Sequence, residues 1–295
     1  MHRILLVVAT IALLVMSSSS AFADNTKTIY DSIKIAPNIP GEGPEAYAFV
    51  EFGDEVTFAG TARSLDRVTV ALSSWACQTG TWFAATCQSA RGATFSIAIT
   101  LKIYAPSGSN TAGAQLATQT RTFSVPYRPS TDAVHCTGGK WYAGAAGCFN
   151  GIESLVTFDF SSQHITLPNT VVYGVAYNST HYGPAPVGES AACFTSSGGC
   201  PYDSLNIGLS PKVNVGSKPH PDTIYQNSSF GGEYCDGGLA GVGTMRLDSP
   251  TIACWAGYVP AVRFTASRGG NSDSGGGDDN GDNGNNQGGD NNSQN

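Results

Sequence analysis

Charge is scarce in this chain. Asp, Glu, Lys and Arg make up 13% of its 295 residues, with 15 basic against 22 acidic side chains and a formal net charge of −7. A nucleic-acid partner calls for a clustered positive face, which this balance does not supply. Histidine is sparse too: outside the leader there are His135, His164, His181 and His220, each isolated along the chain. No Cys-x-x-Cys occurs and only His135 adjoins a cysteine, so zinc spacing is missing and neither metal nor cofactor is expected. No Gly-x-Ser-x-Gly elbow lies between a strand and a helix, and no segment beyond a turn or two has helical periodicity.

Long apolar runs are nearly absent. The one at residues 4–16 is about thirteen residues long, short of the roughly twenty needed to cross a bilayer. It follows Arg3 and precedes Ala21-Phe22-Ala23, so residues 1–23 read as a signal peptide and the mature chain is expected to be secreted. No second run of that kind follows, so no membrane span is expected in the mature chain.

What the chain does have is cysteine: Cys77, Cys87, Cys136, Cys148, Cys193, Cys200, Cys235 and Cys254. An even set in an exported chain reads as a disulfide framework. The spacing groups them as neighbours, giving Cys77–Cys87, Cys136–Cys148, Cys193–Cys200 and Cys235–Cys254, each closing a short loop.

The most regular stretch is residues 94–104, TFSIAITLKIY, with Phe95, Ile97, Ile99, Leu101 and Ile103 at every second position. Alternation puts these five on one face of a strand. Their burial is worth on the order of 10 kcal/mol before ordering entropy. Residues 67–74 alternate in the same way and are the natural neighbour for that strand. Residues 46–60 read as a hairpin turning at Gly53-Asp54. Further strands are expected at 116–125, ending at Pro126, and at 154–160, 171–177, 205–209, 241–247 and 258–266, with Gly174 marking a bulge or a close backbone approach.

Some ten short strands separated by turn signals fit an all-β fold, an antiparallel β-sandwich of jelly-roll type with long disulfide-stapled loops. The organisation is then a signal peptide at 1–23, an extended arm at 24–44 and a sandwich domain at 45–267, either one body or two packed sub-sandwiches. A Gly/Asn/Asp-rich tail at 268–295 has no aliphatic or aromatic residue and should be disordered. It lacks the twelve-residue loop and the repeat that calcium sites use.

The candidate ligand-binding residues are aromatic and sit at the cysteine loops: Trp75, Trp82, Trp141, Tyr142 and Trp255. Rings beside a disulfide either pack over the bridge as a small core or stand at the rim of the sheets, where they stack on sugar faces. Carboxylates raise a second possibility. Two acids on one sheet face can hydrolyse a glycosidic bond, and Glu51 with Glu45 or Glu153 is the pair to consider. Three expectations follow: a secreted non-catalytic module binding polysaccharide or another cell-surface or extracellular component, a secreted glycosidase, or a structural matrix protein without a small ligand.

Overall fold

The computed structural model describes residues 26–43, 49–178, 204–237, 241–249 and 251–268. Cys193, Cys200, Glu45, His181, the signal peptide and the tail beyond Arg268 lie outside the described residues. The strands are β1 (Lys27–Asp31), β2 (Gly41–Glu42), β3 (Phe49–Thr57), β4 (Ser64–Ser74), β5 (Thr94–Pro106), β6 (Ala112–Pro126), β7 (Trp141–Tyr142) and β8 (Cys148–Phe149). They continue with β9 (Ile152–Asp159), β10 (Thr170–Tyr177), β11 (Leu205–Ser210), β12 (Tyr225–Ser228), β13 (Arg246–Leu247), β14 (Val259–Pro260) and β15 (Val262–Ser267). Helix is confined, among the described residues, to short 3-10 turns such as Gly144–Ala146. The chain is therefore all-β.

The strands form two antiparallel sheets and a small ribbon. One sheet runs β1-β15-β4-β11-β14, with β2 added on β11 and β9 on the other edge of β4; the second runs β13-β12-β3-β10-β5-β6; β7 pairs with β8. Side chains from both sheets meet in one core. Val68, Val70 and Leu72 of β4, Val156 and Phe158 of β9 and Phe264 of β15 join Ile97, Ile99, Leu101 and Ile103 of β5, Val171, Tyr173 and Val175 of β10 and Phe52 and Val56 of β3. Edge-on rings link the sheets directly, Tyr173 to Phe264 at 5.6 Å and Phe123 to Phe158 at 5.0 Å.

The strand with the clearest alternation behaves as expected: Phe95, Ile97, Ile99, Leu101 and Ile103 are buried, and Ser96 and Ala98 are exposed. Its neighbours are a different matter. β5 pairs with β6 and β10, whereas β4 pairs with β9, β11 and β15 in the other sheet. Two strands that each have a single apolar face can share a core by pairing edge to edge or by facing each other across it. Here they lie in different sheets and send side chains into the same core.

Gly53-Asp54 is likewise no turn. β3 runs straight through it, pairing Gly53 with Gly174 on one side and with Tyr225 on the other. The glycine is needed because a Cβ at position 53 would run into the backbone of Tyr173. The segment expected as an arm is tied down as well: β1 is the edge strand on β15, and Ile33 and Ile39 pack with Ala71 and Ala261 on the face of the first sheet away from the main core.

Candidate functional site

Three disulfides are present among the described residues, Cys77–Cys87, Cys136–Cys148 and Cys235–Cys254. The first two close loops that lie against each other. Arg128, fully buried, donates from Nη2 to the carbonyl of Gly139 in the second loop and from its backbone N–H to Ala76 O beside the first (2.9 Å). Thr131 N–H reaches Cys87 O at 3.0 Å, and Ser89 N–H donates to Ser130 Oγ at 2.9 Å. Loss of hydration pushes the Arg128 guanidinium down to about 10, still charged at neutral pH. Gly139 takes a left-handed φ of 71° and has no room for a Cβ against Trp82 O and Ala85, so backbone meets backbone where the loops touch.

This platform gathers most of the expected rings. Trp75 and Trp82 are half-buried and meet edge to face at 4.7 Å, and Trp82 meets Phe83 in the same way at 5.8 Å. Trp75 Nε1 donates to Ser73 Oγ (3.1 Å), and its ring fills the space above Gly151, where a Cβ would collide with it. Trp141 is buried at 8% exposure; its Nε1 donates to Gly151 O at 2.7 Å and its ring packs on Phe149 at 5.7 Å. It is therefore part of the platform's own core.

The next residue, Tyr142, points the other way, as strand alternation in β7 requires. It is 43% exposed and lies flat on His135, with centroids 4.5 Å apart and planes 10° apart. His135 Nδ1 is itself 2.9 Å from Asp132 Oδ2, so the Tyr142 ring rests on a tethered neighbour. The Asp132 carboxyl is held below the usual carboxylate range by its hydrogen bonds to the His135 side chain and backbone.

Phe83 was not among the expected residues, and it is the most exposed ring of the group at 68%. Its signal in the sequence was its place beside Trp82 in the middle of a ten-residue cysteine interval. Trp255 belongs elsewhere. It sits beside the Cys235–Cys254 bridge and packs edge-on to Phe52 of β3 at 5.4 Å, with its Nε1 on Asp248 Oδ2 at 2.7 Å.

Of the expected carboxylate pairs, Glu51 with Glu153 is divided between the two sheets, and Glu45 lies outside the described residues. Glu51 is in β3 of the second sheet and Glu153 in β9 of the first. Glu51 is 1% exposed, accepting from Lys102 Nζ at 2.9 Å and Tyr104 Oη at 2.8 Å. Gly174 makes space for it, since a Cβ there would overlap the Glu51 carboxylate. The nearby Glu55 accepts from Tyr225 Oη at 2.9 Å and lies 3.2 Å from His220 Nε2. Glu51 and Glu55 are four residues apart on one strand, hence roughly 13 Å at about 3.3 Å per residue. That exceeds the separations of about 5 to 9.5 Å that glycosidases use.

Between them Asp54 points into the core and pairs with Lys218 Nζ at 2.7 Å. Burial pushes its carboxyl up to about 6 against the pull of Lys218. Among the described residues no group of three or more His, Cys, Asp or Glu converges as a metal site would require.

The chain matches no protein-family model, no curated protein and no solved structure, so no residue role comes to it from a relative.

Proposed function

We propose that this chain is an exported β-sandwich of jelly-roll type that binds a polysaccharide of a cell surface or extracellular matrix without catalysing its breakdown. Two sheets sharing one core support the sandwich. The disulfides and the leader support an oxidising, extracellular destination. The binding surface is Trp82, Phe83 and Tyr142.

The observation that carries this reading is the exposure of Phe83 and Tyr142, at 68% and 43%, on loops closed by covalent bridges and packed against each other at Gly139. Large rings left in water cost hydrophobic free energy that folding does not recover. Held on rigid supports, they lose little entropy when a flat apolar sugar face covers them. Gln78, Thr79 and Asn150 lie on the same two loops and supply side-chain groups for the sugar hydroxyls.

The test is a panel of immobilised polysaccharides probed with the wild type, Phe83→Ala and Tyr142→Ala. Saturable binding to at least one polysaccharide is expected. Each substitution should weaken it about tenfold, equivalent to about 1.4 kcal/mol, with the melting temperature unchanged. No binding across the panel, or binding that survives both substitutions, would sink the proposal in favour of a structural component.

A further inference from the structure

We infer that a second, separate site beside the Cys235–Cys254 bridge accepts an organic ammonium group. A cavity of about 430 Å³ opens there, lined among others by Leu209 of β11, Glu42 of β2, Glu233, Asp248, Trp255 and Tyr258. That volume falls in the range of small-molecule sites. Its walls carry two aromatic side chains, Leu209, Pro40, the disulfide and three acidic residues, and among the described residues its lining includes no Lys, Arg or His.

The main ring is fixed before any ligand arrives. Trp255 Nε1 donates to Asp248 Oδ2 at 2.7 Å, its backbone N–H to Asp222 O at 3.1 Å, and its edge contact with Phe52 anchors it to the core. Asp248, 1% exposed, uses its other oxygen to accept from Cys235 N–H at 2.8 Å, which ties the ring to the disulfide. Tyr258 N–H donates to Trp255 O at 3.0 Å, closing a turn whose two ends both line the cavity, and Tyr258 remains 45% exposed.

These features select the ligand by charge. The negative faces of aromatic rings attract cations, and more strongly where water is partly excluded. Carboxylates in the same wall add to that attraction, while an anion would meet repulsion and no positive side chain among the described lining residues. A neutral group of the same shape would gain only the contact area. The positive group must also be weakly hydrated and apolar at its surface to fill a space walled by Trp255, Tyr258 and Leu209. Alkylammonium groups meet both conditions, and a hydrated metal ion does not.

The experiment uses the mature chain with its disulfides intact and choline as the probe, against its uncharged isostere 3,3-dimethylbutan-1-ol, followed by saturation-transfer NMR and tryptophan fluorescence. Choline should bind saturably and at least about tenfold more tightly than the isostere. Glu233→Gln and Tyr258→Ala should each weaken choline about three- to tenfold without altering the circular dichroism spectrum. Asp132→Asn, just before the second cysteine loop, should leave choline binding unchanged. Equal binding of choline and the isostere, loss on Asp132→Asn matching that on Glu233→Gln, or no saturable binding would each overturn the inference. Because Phe83 and Tyr142 take no part, polysaccharide binding can fail while this site stands, and the reverse.

Discussion

The division of the rings into support and contact leads to a paired prediction, Trp141→Ala against Phe83→Ala. Trp141 is 8% exposed, packs on Phe149 and gives its indole N–H to Gly151 O. Truncating a buried tryptophan costs about 3–5 kcal/mol through lost transfer energy and a cavity that closes only in part. The buried Gly151 carbonyl would also lose its partner, a loss of about 1–3 kcal/mol when uncompensated. Water can reach a loop near the surface, so the lower part of the combined range is expected, about 4–5 kcal/mol. Trp141→Phe keeps ring contact but loses the hydrogen bond and should fall near 1–2 kcal/mol. Phe83, at 68% exposure, has little burial to lose, and its alanine variant should stay within about 0.5 kcal/mol of wild type. Urea unfolding under non-reducing conditions, followed by circular dichroism and fluorescence together, measures all three. A Trp141→Ala cost under about 1 kcal/mol, or a Phe83→Ala cost above it, would refute the division.

Other consequences are as direct. Removing the first bridge by Cys77→Ser/Cys87→Ser should lower stability by about 2.5–3 kcal/mol from the entropy of an eleven-residue loop, and should weaken polysaccharide binding because Trp82 and Phe83 lose their support. Asp54 favours its neutral form in the fold, so between pH 3.8 and about 6 the folded chain binds more protons than the unfolded one at this group. Its contribution to stability is therefore highest below pH 3.8 and falls by up to about 3 kcal/mol as pH rises through 6. Asp54→Asn should remove that component from the stability profile, and Asp54→Asn/Lys218→Met should be less destabilised than Asp54→Asn alone, which strands the Lys218 charge. Gly174→Ala should cost about 1–3 kcal/mol by driving a methyl group into the Glu51 carboxylate, and Glu51→Ala in the same chain should recover part of that loss; independent costs would contradict the packing argument.

How far sequence carried depended on whether a signal was local. The alternation in β5 and the end of β6 at Pro126 are written in adjacent residues, as are the pairings of neighbouring cysteines. Strand partners are not: β4 and β5 follow each other in the chain, yet β4 joins β9, β11 and β15 while β5 joins β6 and β10 in the other sheet. Gly53 resembled a turn because glycine serves both positive φ and close backbone approach, and only the position of Tyr173 decides between them. β12 reads Tyr-Gln-Asn-Ser and lacks any apolar alternation; it is held by pairing with β3 and β13, which no window of its own residues could reveal. The proposed site was half legible. Trp82 and Tyr142 were visible as aromatics near cysteines, but whether a ring supports the platform or faces solvent turns on tertiary contacts. Trp141 and Tyr142, adjacent in sequence, take opposite roles because β7 alternates.

The most direct measurement is hydroxyl-radical footprinting of the protein bound to the polysaccharide selected from the panel, with oxidation at each residue compared to the free state. The account predicts protection at Trp82, Phe83 and Tyr142 and no change at Trp141. Undiminished oxidation of Phe83 and Tyr142 in the saturated complex would contradict it.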